Sequence, residues 1–399
     1  MPSKKKTSKT SPQKTDRPQS PWRERLPYFE QRLSALVATI REFAGIESPS
    51  DHKPSADTMC MHLAHKFEAF GGRARIHPAE DFGNNLQIDF AGRENSRPVL
   101  LLGHYDTVYA LGTIANMPVR EVEGRLHGPG VLDMKAGIAL MWFAIEALQH
   151  WHGQLPRPVT VFLVSDEEVG SVSSRALTEA LAKQSAAVFV LEPAAGLRGA
   201  VKTERKGVGE YVLRVQGIAS HAGLDPTKGH SAILELARQI VALSELNDLQ
   251  SGVSLNAGVI RGGTRTNVIA AEATADIDAR IKRAKQAAAL DRKLRALKPF
   301  DKQCKLTLEG AINRMPMERT AGVAALYEEA KAIAAQIDWK LEEAAVGGGS
   351  DGNFTAALGI PTLDGMGAVG QGAHATHEHI VINELPRRAL LLAAMIESV

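Results

Sequence analysis

The stretch LLLGHYDTVYA, residues 100–110, decides the fold. Its apolar run is too short for a helix and stops abruptly at a histidine and an aspartate, His104 and Asp106. Such a run reads as a strand buried on both faces, the kind found in sheets sandwiched between helices. Side chains two apart on a strand point the same way. His104 and Asp106 therefore emerge together at the carboxyl end of the strand, where α/β folds gather their functional groups. The pair has two readings: a core histidine satisfied beside a turn aspartate, or a metal-ligating imidazole whose other N–H is held by a carboxylate.

Working outward, NLQIDF (85–90), VTVFLVS (159–165) and AAVFVLE (186–192) are further short apolar runs of the buried-strand type. Between them, MKAGIALMWFAIEALQHW (134–151) is too long for a strand and periodic as a helix, and residues 27–70 carry apolar residues at three- and four-residue spacing. Strands alternating with helices predict an α/β fold, a mixed sheet between helices. Near residue 207 the texture changes. GEYVLRVQG, VSLNAGVIRGG and EATADIDARIK alternate with period two and are interleaved with the helical stretches SAILELARQIVALSEL and RAKQAAALDRKLRAL. This predicts a compact α+β unit, ferredoxin-like, over 207–315, inserted between two parts of the larger domain at 22–206 and 316–399.

The chain has 399 residues, enough for two cores, and its net charge of +2 hides an asymmetry. Residues 1–20 hold six Lys/Arg against one acid and almost nothing apolar, so segment 1–21 is expected to be a disordered basic tail. With no aromatics among those charges, a solvating extension is favoured over a nucleic-acid arm. The tail lacks the apolar centre of a secretory signal, and no run of about 18 apolar residues suggests a membrane span. Cys60 and Cys304 have no metal-type spacing and read as free thiols of a reducing compartment, the cytoplasm.

Three further stretches carry chemistry. GPGVLDMKAG (128–137) sets Asp133 in an irregular loop before the long helix, where an N-cap is the ordinary role. SDEEVGS (165–171) ends an apolar strand with adjacent carboxylates, Glu167 and Glu168. These project in different directions, so one can hold an ion while the other takes a proton from water. LEP (191–193) ends a third strand with Glu192, whose burial is costly unless something compensates it. Taken singly, each has an ordinary structural reading. Together, strand ends carrying His, Asp, Glu-Glu and Glu without cysteine point to a divalent-metal centre, zinc first, with cobalt or manganese also suited. About five ligands suggest two ions.

GHYDTV, GPGVLDMKAG, SDEEVGS, LEP, GIASHAG, GGTRTNVI, GGGSD and HATHE occur in an order that resembles the co-catalytic zinc metallopeptidase family. That family includes glutamate carboxypeptidase, acetylornithine deacetylase, succinyl-diaminopimelate desuccinylase and the aminoacylases. The similarity runs from about residue 30 to the C-terminus. It implies a metal-binding catalytic domain with an inserted domain that commonly makes the contact of a homodimer. It also implies His104, Asp133 and Glu192 as ligands of one zinc, and a bridging Asp133, Glu168 and a C-terminal histidine as ligands of the other. Glu167 becomes the general base and Asp106 the partner of His104. His374 stands four residues before Glu378 and is the chosen last ligand, with His379 as runner-up. At positions 377 and 379 the chain has histidines where the family commonly has asparagine or aspartate and then tyrosine.

In the inserted unit the resemblance makes His221 an oxyanion-stabilising group, in its own subunit or across a dimer. Asn267 and Arg280 fall on positions that bind a substrate carboxylate, and Gly349 on a loop that meets the substrate backbone. GHYDTVYALGT, GGGSD with GIPTLDGMGAVG, and INELPRR look closest to glutamate carboxypeptidase, where Lys202 and Arg314 would neutralise an acidic side chain. The expected activity is zinc-dependent removal of a C-terminal, glutamate-like amino acid from a peptidyl or N-acyl substrate with a free carboxylate. The alternatives are an N-acyl-amino-acid deacylase and a non-catalytic binding protein of the same fold.

Overall fold

The computed structural model describes residues 21–93 and 96–399. The basic tail, apart from Pro21, lies outside the described residues. Helices Pro21–Gln31, Leu33–Gly45 and Lys53–Glu68 precede a six-stranded sheet. Across that sheet the strands run Arg73–His77, Asn85–Phe90, Val159–Val164, Val99–His104, Ala187–Val190 and Thr362–Leu363. The first two pair antiparallel with each other, and the second antiparallel with Val159–Val164. Val99–His104 runs parallel to Val159–Val164 and to Ala187–Val190, which also pairs in parallel with Thr362–Leu363. The sheet is therefore mixed, as the sequence predicts.

Every residue of Val99–His104 is buried, because alternate side chains enter two different cores. Leu101, Val161 and Phe189 join a large cluster with helices Ala136–His152 and Leu385–Ser398, while Leu100, Leu102 and Phe162 pack beside Leu181 and Ala182 of helix Arg175–Gln184. Register brings His104 opposite Val164 and Leu102 opposite Val190. The ends bearing His104, Glu167–Glu168 and Glu192 thus reach one edge of the sheet together, the usual place for a site in such folds.

A second sheet, with its own core, lies between Gly207 and Arg314. Its order is Ser254–Gly262, Glu272–Ile281, Gly207–Gln216, Lys305–Arg314, all antiparallel, with helices Ala232–Ser244 and Lys285–Arg295. This is the order of a ferredoxin-like βαββαβ unit. Its fourth strand, Lys305–Arg314, is not announced by sequence pattern, because the strand is half-exposed along most of its length and has Gly310 at its middle. A small antiparallel sheet pairs His379–Val381 with Arg125–His127 and Gly370–Gln371, and so fixes the two ends of the loop that carries His374. Cys60 and Cys304 are buried free thiols. Among the described residues no helix is long and apolar enough to cross a membrane.

Helix Ala136–His152 comes so close to the end of the Ala187–Val190 strand that a Cβ on Gly137 would lie 2.2 Å from the Leu191 carbonyl oxygen. Gly137→Ala should gain about 1 kcal/mol of helix propensity. It should lose more than that, about 1–3 kcal/mol, to overpacking against backbone that cannot yield. The variant is expected to be less stable than the wild type in urea unfolding; equal or higher stability would show that the contact relaxes freely.

Candidate active site

The loop Gly128–Asp133 is held by a carboxylate from the other end of the chain. Glu378 is fully buried; one oxygen accepts the N–H of Leu132 (2.7 Å) and of Asp133 (3.0 Å), the other the N–H of Gly130 (3.2 Å) and the Tyr109 hydroxyl. A carboxylate bound by several backbone donors is a rigid fixture, and it sets the direction in which Asp133 leaves the loop. The two oxygens of Asp133 then face two histidines. Oδ1 lies 3.1 Å from His104 Nε2, and Oδ2 lies 3.4 Å from His374 Nε2.

On the His104 side, Glu192 Oε1 is 3.5 Å from the same Nε2. On the His374 side, Glu168 Oε1 is 3.1 Å from the imidazole. The structure thus gathers the predicted set into two halves sharing Asp133: His104 with Glu192, and Glu168 with His374. Glu167 stands within the same reach as His104 and Glu192, all three offering ligand atoms within 4.8 Å of one another. His379 is elsewhere: its ring lies tilted against that of His127 with centroids 5.0 Å apart, and its Nδ1 meets the His377 carbonyl at 3.0 Å. Cross-strand pairing with His127 takes it away from the cluster, which leaves His374 as the histidine of this loop at the site.

Asp106 is completely buried behind His104. The imidazole Nδ1 is 3.0 Å from the Asp106 carbonyl and 3.4 Å from its carboxylate, which also accepts the Ser50 hydroxyl (2.7 Å) and the N–H groups of Glu167 and Glu168 (3.3 and 3.2 Å). Asp106 therefore orients both His104 and the paired glutamates. Glu192, whose burial demanded compensation, meets Arg205 at 3.3 Å; Arg205 in turn holds Asp364 through two bonds (2.6 and 2.9 Å) and the Gly349 carbonyl (3.0 Å). Sequence reasoning did not single out Arg205, Asp364, Ser50 or Tyr109. A hint existed for Arg205, since in the strand Val201–Arg205 the inward phase is 201, 203 and 205, and an inward arginine needs acceptors.

Electrostatics follow from this crowding. Burial would push the His104 imidazole down, but Asp106, Asp133 and Glu192 hold it well above its ordinary range. Burial would raise Asp133, yet its two histidines hold it below the carboxylate range. Burial drives Glu167 well up, with Arg314 opposing, and raises Glu168, with His374 opposing. His374, bonded to Asp133 and Glu168, is raised to about 10. Carboxylates so close together repel, and without a metal ion they favour the protonated form of the histidines among them. Oxygen and imidazole donors without thiolate are what divalent zinc, cobalt or manganese accept. The residues fit such ions: His104, Asp133, Glu168, Glu192 and His374 would hold them.

The remaining predicted residues are spread out. Lys202 is held below the usual ammonium range by burial and by Arg205, with Asp364, Glu192 and Asp133 opposing. Gly349 packs against Val208 and Arg314, where a Cβ would come within 2.7 Å of Val208. Arg314 donates to Glu167 Oε1 at 3.1 Å. In the second sheet, Arg280 pairs with Asp278 at 2.7 Å. His221 and Asn267 are exposed neighbours on adjoining loops, linked by the bond from Ala222 N–H to the Asn267 carbonyl (2.9 Å). These three make no hydrogen bond or ion pair with the metal-type cluster among the described residues.

Residues 100–398 match the model of peptidase family M20/M25/M40. The chain belongs to that family. Its members are metallopeptidases with dinuclear metal sites, and among the described residues His104, Asp133 and Glu168, and His104, Glu167 and Glu192, form candidate metal-binding groups. The chain is 28% identical to carboxypeptidase G2 of Pseudomonas sp. (strain RS-16) over 321 residues, 79% of this chain and 76% of that one. It is 31% identical to acetylornithine deacetylase of Myxococcus xanthus over 254 residues, 59% of this chain and 64% of that one. The crystal structure of aminopeptidase PepT from Bacillus cereus ATCC 10987 superposes with a TM-score of 0.77 at 23% identity, covering 92% and 98% of the two chains. This M20 chain is accordingly a hydrolase of the peptidase and amidohydrolase type.

The folded pKa of His374 lies above that of an unfolded histidine. Its bonds to Asp133 and Glu168 therefore stabilise the metal-free protein fully below about pH 6.5, and that contribution is lost as pH rises through about 10. Imidazole NMR titration of metal-free protein should find His374 titrating near 10, and closer to its ordinary value in Glu168→Gln. An ordinary His374 pKa in the wild type would contradict the ion pair.

Proposed function

We propose that this M20 enzyme is a metallo-carboxypeptidase that releases a C-terminal, glutamate-like amino acid from a peptidyl or N-acyl substrate. The observation that carries the reading is the division of Asp133 between His104 and His374, with Glu167 beside the His104 half. Two zinc ions bound to these residues would polarise a scissile carbonyl and acidify a water. Glu167, half-buried and with its pKa driven up by desolvation, is suited to take a proton from the attacking water and return one to the leaving nitrogen. Asp106 keeps His104 and the backbone of Glu167 in register for that transfer.

Substrate recognition is assigned to Lys202, a half-buried residue whose ammonium interacts with Glu192 and Asp133 of the cluster, to Gly349, and to Asn267 and Arg280 of the inserted unit. His221 Nδ1 accepts the N–H groups of Gly223 and Leu224, so its proton sits on Nε2, an exposed donor suited to a developing oxyanion. Because His221 makes no hydrogen bond or ion pair with the cluster among the described residues, this role requires a partner subunit or a closing movement to bring it there. A homodimer has support in the edge strand Ser254–Gly262, whose outer side has no partner strand among the described residues and exposes Val259 and Ile260, next to exposed Ile233, Leu234 and Val241 of helix Ala232–Ser244.

Zinc-loaded protein should release free amino acid from substrates ending in glutamate in preference to those ending in ornithine or an aromatic residue. Turnover confined to short N-acyl amino acids would instead establish the deacylase reading, which the 31% identity to acetylornithine deacetylase favours. Zinc binding with no turnover would leave a binding protein. Glu167→Gln should lower kcat by about 100-fold or more while metal content stays the same; full activity would sink the assignment of the base. Ile260→Lys should shift the sedimentation of the protein from dimer to monomer, and an unchanged dimer would place the interface elsewhere.

A further inference from the structure

Of the two residues that resemblance assigns to the substrate's acidic side chain, Lys202 and Arg314, the arginine is engaged otherwise. Arg314 ends the strand Lys305–Arg314, and the pairing of that strand with Gly207–Gln216 shifts register between Ile312 and Arg314. A bulge at a strand end re-aims the side chain that follows it. Here it turns the guanidinium into the catalytic domain, leaving Arg314 only 7% exposed. One nitrogen, Nη2, has four acceptors within hydrogen-bond distance to share its two N–H groups: Glu167 Oε1 (3.1 Å), the Glu167 carbonyl (3.2 Å), Ser171 Oγ (2.7 Å) and Asp351 Oδ1 (3.0 Å). The Phe354 ring covers the guanidinium at 5.0 Å. The bulged residue itself is tied to the same loop: Asn313 Nδ2 donates to the Gly170 carbonyl (3.1 Å), and Arg175 donates to the Asn313 carbonyl (3.0 Å).

Resting on the reading of Glu167 as general base, we propose that Arg314 is a positioning residue for that base, with Asp351 and Ser171 holding the guanidinium in place, and not a ligand of the substrate side chain. The physical case is one of geometry. Glu167 follows the strand Val159–Val164 in a short loop, and the groups around its side chain in the first sheet are largely other carboxylates, which repel it. An arginine from the second sheet adds an opposite charge to that of His104 and is in hydrogen-bond contact with both the side chain and the backbone of Glu167. A proton acceptor must keep one position relative to the attacked carbonyl, and displacement of about 1 Å can cost on the order of 100-fold in rate. The contact also makes the placement of the base depend on the placement of the inserted unit.

The test compares wild type, Arg314→Gln, Arg314→Lys and Asp351→Asn, zinc-loaded, on two substrates that differ only in a C-terminal glutamate or glutamine. A positioning role predicts that Arg314→Gln lowers kcat by about 100-fold on both substrates alike, with KM moved less than about threefold. Arg314→Lys should recover part of that loss, and Asp351→Asn should lower kcat in the same manner without facing substrate. A KM increase confined to the glutamate substrate, with kcat kept, would overturn the proposal and return Arg314 to the substrate. Should Arg314→Gln fail to fold, Arg314→Lys and Asp351→Asn decide by the same split. A readout without turnover is the thermal unfolding of metal-free wild type, Glu167→Gln, Arg314→Gln and the double variant. The positioning contact predicts that the shifts in Tm are not additive, and additive shifts would overturn it. Absence of turnover in the wild type would count against the proposed function, while the unfolding cycle still decides whether the two side chains are coupled.

Discussion

The repulsion among Asp133, Glu167, Glu168 and Glu192 is the constraint on which the rest of the site depends. Buried carboxylates within a few ångströms of one another cannot all be ionised unless positive charge lies among them. In the metal-free protein the imidazoles of His104 and His374, both raised above their ordinary range, contribute to that charge, and Arg205 and Arg314 contribute from behind. Each arginine is itself balanced by a second carboxylate, Asp364 or Asp351. The arrangement leaves the faces of Asp133 open toward two imidazoles, which is the disposition a pair of divalent ions would use.

Holding like charges together requires a scaffold that does not relax, and the fold provides it at three places. Parallel pairing brings His104, Glu167–Glu168 and Glu192 to one sheet edge in fixed register. Glu378 binds the loop of Asp133 through three backbone N–H groups, coupling the last part of the chain to the middle. Gly137 lets the long central helix touch the strand end that carries Glu192. Positions of the ligands therefore depend on close backbone packing, which is least tolerant of change in volume.

Much of this was legible in the sequence for a clear reason. Buried strands announce themselves as short apolar runs, and a polar residue at the end of one must face either a site or a partner. That logic reaches His104, Asp106, Glu167, Glu168 and Glu192 from spacing alone, and the order of the motifs adds Asp133 and His374. What pattern could not reach were groups whose importance comes from contacts distant in sequence. Ser50 meets Asp106 and Tyr109 meets Glu378 across loops with no periodic signature. Arg205 sits on a five-residue strand whose partner strand, Glu343–Val346, lies far along the chain.

By itself the sequence determined the α/β class, the inserted α+β unit, the donor types and the M20 resemblance, because these follow from hydrophobic period and from short motifs read locally. The tertiary structure separated His374 from its runner-up His379, since strand pairing carries His379 onto His127 and leaves His374 facing Asp133 and Glu168. It likewise decided where Arg314 points. A bulge is invisible in a residue pattern, yet one unpaired residue at Asn313 is enough to turn the next side chain from one face of a strand to the other, and so toward Glu167.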